Sequence, residues 1–236
     1  GGINASISSS PLLNNLIIQG NHANSYGGGV YLYHYSDAII RNTVISGNIS
    51  IDKGGGIYCS NSNPSIENVT ITSNSAIYGS GAFFTASDAI LVNCILWDNA
   101  DQEIFMSAGS VTATYSNIQG GYEGEGNIDE DPLFVGSENG DYHLSNSSPC
   151  IGAGTLDGAP DTDLDGNPRP NPEGSNPDMG AYENALGAPL GVSDGLGDDI
   201  DWTNITNQLS ANWLSNLVDG AVSFEYAIGI YSTPST

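Results

Sequence analysis

Residues 54–58 read Gly-Gly-Gly-Ile-Tyr and residues 64–74 read Pro-Ser-Ile-Glu-Asn-Val-Thr-Ile-Thr-Ser-Asn, a pattern that returns on both sides at a nearly fixed step. Gly1-Gly2-Ile3, Gly28-Gly29-Val30 and Gly55-Gly56-Ile57 are each 27 residues apart, and Gly79-Ser80-Gly81-Ala82 follows slightly sooner. The second half of the unit keeps pace. Its copies start at Asn15, Asn42, Asn68 and Asn93, advancing by 27, 26 and 25 residues, with a weaker fifth copy from Tyr115 to Gly121. A repeat of roughly 20 to 50 residues denotes a solenoid or a propeller. Each unit holds short apolar runs bounded by Gly, Asn and Ser without a helical stripe, so it reads as two or three short strands joined by turns. A unit of about 25 residues is too short for a four-stranded propeller blade. The expected fold is an all-β, right-handed parallel β-helix.

Coils of such a helix stack about 4.8 Å apart, so a residue type repeated at the coil period forms a column along the axis. Ile3, Val30 and Ile57, then Ala82, make one inward column; Ile18, Ile45, Ile71 and Leu96 make another. Two asparagine columns, at 15/42/68/93 and 21/48/74/99, are placed at strand ends, where side-chain amides stack and satisfy turn backbone. The glycines supply positive φ at the bends.

Composition bounds the function. The 236 residues carry 27 acidic and 3 basic side chains, a net charge of −24. This field excludes nucleic acid and anionic membranes as partners and attracts divalent cations. Cys59, Cys94 and Cys150 are too few for a disulfide framework, and Cys59 and Cys94 read as small buried residues. The sequence contains no signal peptide and no transmembrane stretch. Because Gly1 falls inside a repeat, the chain reads as beginning in mid-solenoid, and signal absence says nothing of export.

The β-helix coils are expected over residues 1–130, fading after Trp97. A distinct piece follows over 131–184, with Asp131-Pro-Leu-Phe-Val, Gly140-Asp-Tyr-His-Leu, Ser148-Pro-Cys-Ile-Gly-Ala-Gly, Asp163-Leu-Asp-Gly-Asn-Pro-Arg-Pro and Asp178-Met-Gly-Ala-Tyr-Glu. In that order, after Asn93-Cys-Ile-Leu-Trp and Tyr115-Ser-Asn-Ile-Gln-Gly, these motifs resemble the choice-of-anchor Q domain proteins, bacterial secreted or surface proteins with pectate-lyase-like β-helices. The resemblance spans roughly 1 to 184 and implies an extracellular setting, with residues 131–184 wrapping and capping the C-terminal end of the solenoid. It carries no catalytic assignment. Residues 185–192 read as a linker. Residues 193–236 look like the first strands of a fibronectin type III-like sandwich, which needs about 100 residues. The neighbours of this segment would then be other domains of a longer surface protein.

Three constellations are candidates for chemistry. Asp161, Asp163 and Asp165 open like a calcium-binding loop, but Pro172 stands where an EF-hand needs a bidentate Glu, leaving a looser Ca²⁺ site shared with Asp157 or Asp178, or a solvated loop. Asp198, Asp199 and Asp201 read as a linker or turn. Asp37 and Asp88, in register with Asn63, would stand two coils apart at about 9.6 Å, the upper edge of an inverting glycosidase separation; the alternative is that each simply begins a turn. A lyase is weaker still, because Arg41, Lys53 and Arg169 are the sole cations, and His22, His34 and His143 are scattered as turn or surface residues. Among the aromatics crowding the glycine-side strands, Tyr31, Tyr33 and Tyr58 are candidates for stacking on sugar rings, with Tyr31 and Tyr33 turned outward beside inward Val30 and Leu32. The expected function is a non-catalytic, secreted or cell-surface structural or adhesive segment that meets polysaccharides or other surface molecules. The alternative is a polysaccharide-active hydrolase or lyase.

Overall fold

The computed structural model describes residues 1–184 and two short strands beyond them. It is a parallel β-helix whose coils turn through two long faces and one short one. The first face stacks β1 (Ile3–Ser6), β4 (Val30–Tyr33), β7 (Ile57–Ser60), β9 (Ala82–Thr85) and β12 (Ile104–Met106) into a five-stranded parallel sheet. The second face holds β2 (Leu12–Gln19), β5 (Ile39–Ser46) and β8 (Ser65–Thr72). It then continues as two shorter strands per coil, β10 (Ser87–Val92) with β11 (Ile95–Trp97), and β13 (Gly109–Thr114) with β14 (Asn117–Ile118). The third face is narrow: β3 (His22–Ala23) pairs with β6 (Ile49–Ser50), and isolated bridges continue the column.

Register follows the repeat. Ile3 lies opposite Val30, Val30 opposite Ile57, and Ile57 opposite Ala82; Ile18, Ile45, Ile71 and Leu96 form the facing column. Both columns enter one continuous core with Leu32, Ile40, Ile66, Phe84 and Leu91. Alternation along β4 buries Val30 and Leu32 completely and turns Tyr31 and Tyr33 away from the core. The glycine triplets divide their work. Only the first member is left-handed, with φ of 63° at Gly27, 65° at Gly54 and 61° at Gly79. The later members are needed for close stacking: a Cβ on Gly56 would come 2.5 Å from the Gly81 carbonyl oxygen.

The two asparagine columns also do different things. Asn21, Asn48, Asn74 and Asn99 sit at the corner after the second face as an inward ladder. The Asn48 Oδ1 accepts both the main-chain and the side-chain N–H of Asn21, and Asn74 and Asn99 repeat this one coil further each time. The amides of Asn48, Asn74 and Asn99 also donate to the strand carbonyls of Ile18, Ile45 and Ile71. Asn15, Asn42, Asn68 and Asn93, expected at strand ends, instead lie within or between second-face strands, each left-handed with φ from 43° to 56°. That conformation, which Asn tolerates, kinks the face.

The kinked column receives residues 131–184. Their hairpin, β15 (Phe134–Gly136) and β16 (Asp141–Leu144), is antiparallel and joined by a single 3₁₀ turn. The rest runs along the flank of the solenoid. Asn117 Nδ2 meets Cys150 Sγ at 3.1 Å, Asn93 exchanges hydrogen bonds of 2.8 Å with Thr155 in both directions, and Asn42 donates to the Thr162 carbonyl at 2.6 Å. On the way back, Asn68 donates to the carbonyls of Asp178 and Gly180, and the Ala181 N–H reaches Thr70 Oγ1. Tyr142, Ala181 and Tyr182 cover Val44, and Leu144, Cys150 and Met179 cover Ile95. Ile17, in the same outward column as Val44, stays exposed. The segment thus lies along the flank of the coils, where it covers outward aliphatics and pairs with the amides of the kinked column. Ile104, Val111 and Tyr122 pack, partly buried, against the core in its last coils, and the Tyr122 hydroxyl donates to the Val111 carbonyl. Beyond residue 184, β17 (Gly191–Ser193) and β18 (Asn212–Leu214) pair antiparallel; the fibronectin-like module and the cluster at Asp198, Asp199 and Asp201 otherwise lie outside the described residues.

Candidate functional site

Asp37 and Asp88 are exposed at the corner between the first and second faces. Asp37 Oδ1 accepts the Asn63 main-chain N–H at 2.6 Å, Asn63 Oδ1 accepts that of Asp88 at 2.8 Å, and Asp88 Oδ1 accepts the Ser110 hydroxyl at 2.6 Å. Asp37 and Asn63 therefore hold the corner of the next coil, which is turn chemistry, and Asp88 reaches a side chain of the coil after it.

The acidic loop is likewise turned inward. Asp163 is fully buried, and its carboxylate accepts the main-chain N–H groups of Asp165, Asn167 and Glu183 and the Asn167 amide. Asp165 instead meets His143 Nε2 at 2.8 Å, while His143 Nδ1 lies 2.6 Å from Asp141 and the imidazole stacks on Tyr182 at 4.0 Å. Burial opposes a charge on His143, but the two carboxylates prevail and raise its pKa. Asp161 offers its carbonyl to the Arg169 N–H. Thus Asp161, Asp163 and Asp165 do not converge, and no group of three or more His, Cys, Asp or Glu among the described residues is placed to hold a metal ion.

Sequence reasoning missed the buried cluster around Arg169. This guanidinium donates to the carbonyls of Asp178 and Gly180, and its Nε stands 3.4 Å from Glu183 Oε1, too poorly aligned for a hydrogen bond. Asp178 in turn accepts the N–H groups of Gly152 and Asn184, and Glu183 those of Asp178 and Asn171. Burial pushes the carboxyls of both Asp178 and Glu183 well above their ordinary range, against the pull of Arg169. The cluster ties the flank segment together. Burial also pushes the thiols of Cys59 and Cys150 to about 11 and that of Cys94 to about 12, so these free, buried cysteines are not poised as nucleophiles.

The outward side of the first face is lined with rings. Tyr31, Tyr58, Phe83 and Phe105 form one outward stack up the first face, with centroid spacings of 5.3, 5.5 and 5.2 Å. Tyr26 and Tyr78 pack diagonally onto Tyr58 and Phe105. Between them the Lys53 Nζ lies 5.5 Å from the centre of Tyr26 and 5.3 Å from that of Phe83. Arg41 is paired with Glu67 at 2.5 Å, so Lys53 is the one basic residue without an acidic partner among the described residues. Within the stack the rings occupy each other's faces, leaving Tyr58 8 % and Phe83 3 % exposed. Of the three tyrosines singled out in the sequence, Tyr58 is therefore a packing residue and Tyr31 half so. Tyr33 reaches solvent at the corner with His34 and Tyr35.

Residues 1–127 match the family described as the right handed beta helix region. The chain belongs to this family. The β-helix match covers the stacked coils and stops before the flank segment. No curated protein matches the chain, and no solved structure matches it.

Proposed function

We propose that this β-helix is a non-catalytic, extracellular segment of a larger surface protein, serving as a stiff spacer and an adhesive face. One observation carries the reading: the carboxylates that could act as acid and base are engaged between coils, Asp37 accepting the Asn63 main-chain N–H and Asp88 the Ser110 hydroxyl. The surface that remains for adhesion is then the solvent-exposed part of the ring-lined first face. The resemblance to choice-of-anchor Q proteins supports a secreted or surface setting. The fibronectin-like texture of residues 193–236 supports a serial arrangement of domains, with the coils over 1–130 and their companion over 131–184 acting as one unit. The test is incubation with soluble neutral and acidic polysaccharides, with and without calcium, following reducing ends and unsaturated products. No product is expected. Turnover lost in Asp37→Asn or Asp88→Asn would replace this reading with that of a polysaccharide-active enzyme.

A further inference from the structure

We propose that the corner formed by Tyr33, His34 and Tyr35, with Ile7 one coil below, is the contact surface for an uncharged saccharide chain. This rests on the adhesive reading and names its ligand. After each of the first four strands of the first face the chain passes through one left-handed residue, in a column of Ile7, His34, Asn61 and Ala86 with φ of 58°, 60°, 51° and 49°. Asn suits that conformation, while bulky and β-branched residues resist it. Coils three and four accordingly use Asn61 and Ala86. The second coil has His34 there, which tolerates it, and the first has β-branched Ile7, which does not; both coils add a second left-handed residue, Ser8 at 61° and the bulky Tyr35 at 62°.

Core burial does not explain these choices, since Ile7 is 74 %, Tyr35 63 % and Tyr33 41 % exposed. Strained backbone and exposed apolar surface at one place mark a binding function. The rings are continuous: Tyr31 to Tyr33, Tyr33 to His34 and His34 to Tyr35 are 6.0, 5.6 and 4.8 Å apart, the last pair tilted by 49°. The strip thus leaves the packed stack and opens outward, where Tyr35 has His34 as its sole ring neighbour among the described residues. Flat rings carrying phenolic hydroxyls suit the apolar C–H face of a sugar and its surrounding hydroxyls. Charge selects among sugars. With 27 acidic residues against 3 basic, Arg41 and Arg169 paired with acids, and Lys53 held over Tyr26 and Phe83, a polyanion meets repulsion without a counter-charge.

The experiment is affinity electrophoresis and calorimetry of the whole chain in about 0.1 M salt, against soluble xylan, mixed-linkage β-glucan and galactomannan, with polygalacturonate and alginate as charged counterparts. At least one neutral polymer should retard the protein and the polyanions should not. Tyr35→Asn should weaken binding about tenfold or more while leaving the melting temperature equal or higher, because Asn fits the left-handed backbone. Ala86→Asn, in the same column two coils beyond His34, should bind as the wild type does. Preference for the polyanions overturns the ligand class. Absence of any neutral binding, or unchanged binding in both Tyr35→Asn and Tyr33→Ala, overturns the site. Release of reducing ends is read separately and bears on the non-catalytic reading alone.

Discussion

Asn99 donates both its main-chain N–H and its side-chain amide to the carboxylate of Glu103, four residues further on. Every earlier asparagine in that ladder donates the same pair to the asparagine one coil along. Glu103 therefore ends the line of amides with a group whose two oxygens each accept one of the Asn99 donors.

The first prediction concerns pH. Burial drives the Glu103 pKa from 4.5 up to about 7, against the pull of the Asn99 donors. Because the folded value lies above the unfolded one, the stability this group contributes is fully present below about pH 4.5 and is lost as pH rises through about 7. By linkage the loss is on the order of 3 kcal/mol. Thermal melts at pH 5 and pH 8 should show a fall in the wild type that is clearly smaller in Glu103→Gln. Equal falls in the two proteins would refute the assignment.

Cutting the ladder in its middle should cost far more than trimming its start. Asn74 is fully buried; its Oδ1 accepts two N–H groups of Asn48, and its amide donates to Asn99 and to the Ile45 carbonyl. Asn74→Ala orphans those partners, at about 3 kcal/mol or more, whereas Asn21→Ala, at the half-buried first rung, should cost about 1 kcal/mol. Urea midpoints with an unchanged slope would measure both.

Ile71 faces Ile45 and Leu96 in the inward column and is fully buried. Ile71→Asp places an unpaired charge among aliphatics and should cost about 4 kcal/mol or more, against 2 to 5 for the cavity in Ile71→Ala. A denaturation midpoint for Ile71→Asp equal to the wild type would show that the register is wrong.

Arg169→Met would leave Asp178 and Glu183 buried without a cation, a change worth about 3 to 5 kcal/mol. Hydrogen exchange should locate the damage. Amides of Gly154, Gly180 and Ala181, bonded to Pro177, Asn93 and Thr70, should lose protection, while those of β4 and β7 keep theirs.

Calcium provides a separate check on the acidic loop. Since the Asp163 carboxylate is already occupied by main-chain N–H groups, Asp163→Asn should lower the melting temperature equally in calcium and in a chelator. A loss seen in calcium alone would restore the metal site.

The regular part of this molecule was legible because a coil period turns into columns: Val30, Ile57 and Ile71 could be placed inward from spacing alone, and all three are fully buried. The flank was not legible. Its decisive contacts join residues 62 to 120 apart, such as Asn93 with Thr155 and Asn42 with Thr162, and they use main-chain groups, which leave no pattern in the sequence. Glu103 escaped notice because a carboxylate at a four-residue spacing does what an amide does one coil away. The spacing of Asp37 and Asp88 was readable, but their employment was not, because a turn acceptor and a catalytic acid share the same residue type. Tyr31 and Tyr58 were rightly turned out of the core, yet the ring stack that hides Tyr58 depends on Phe83 and Phe105 in coils where the repeat weakens.

The run from Cys150 to Thr162 passes from coil to coil, gripping Asn117 at one end and Asn42 at the other. A stack bonded only between nearest neighbours would fray from its last turn, losing one layer at a time. Here the terminal layer cannot peel without releasing a strap fastened three layers back. Such a chain should yield under load in one large step rather than a staircase of small ones.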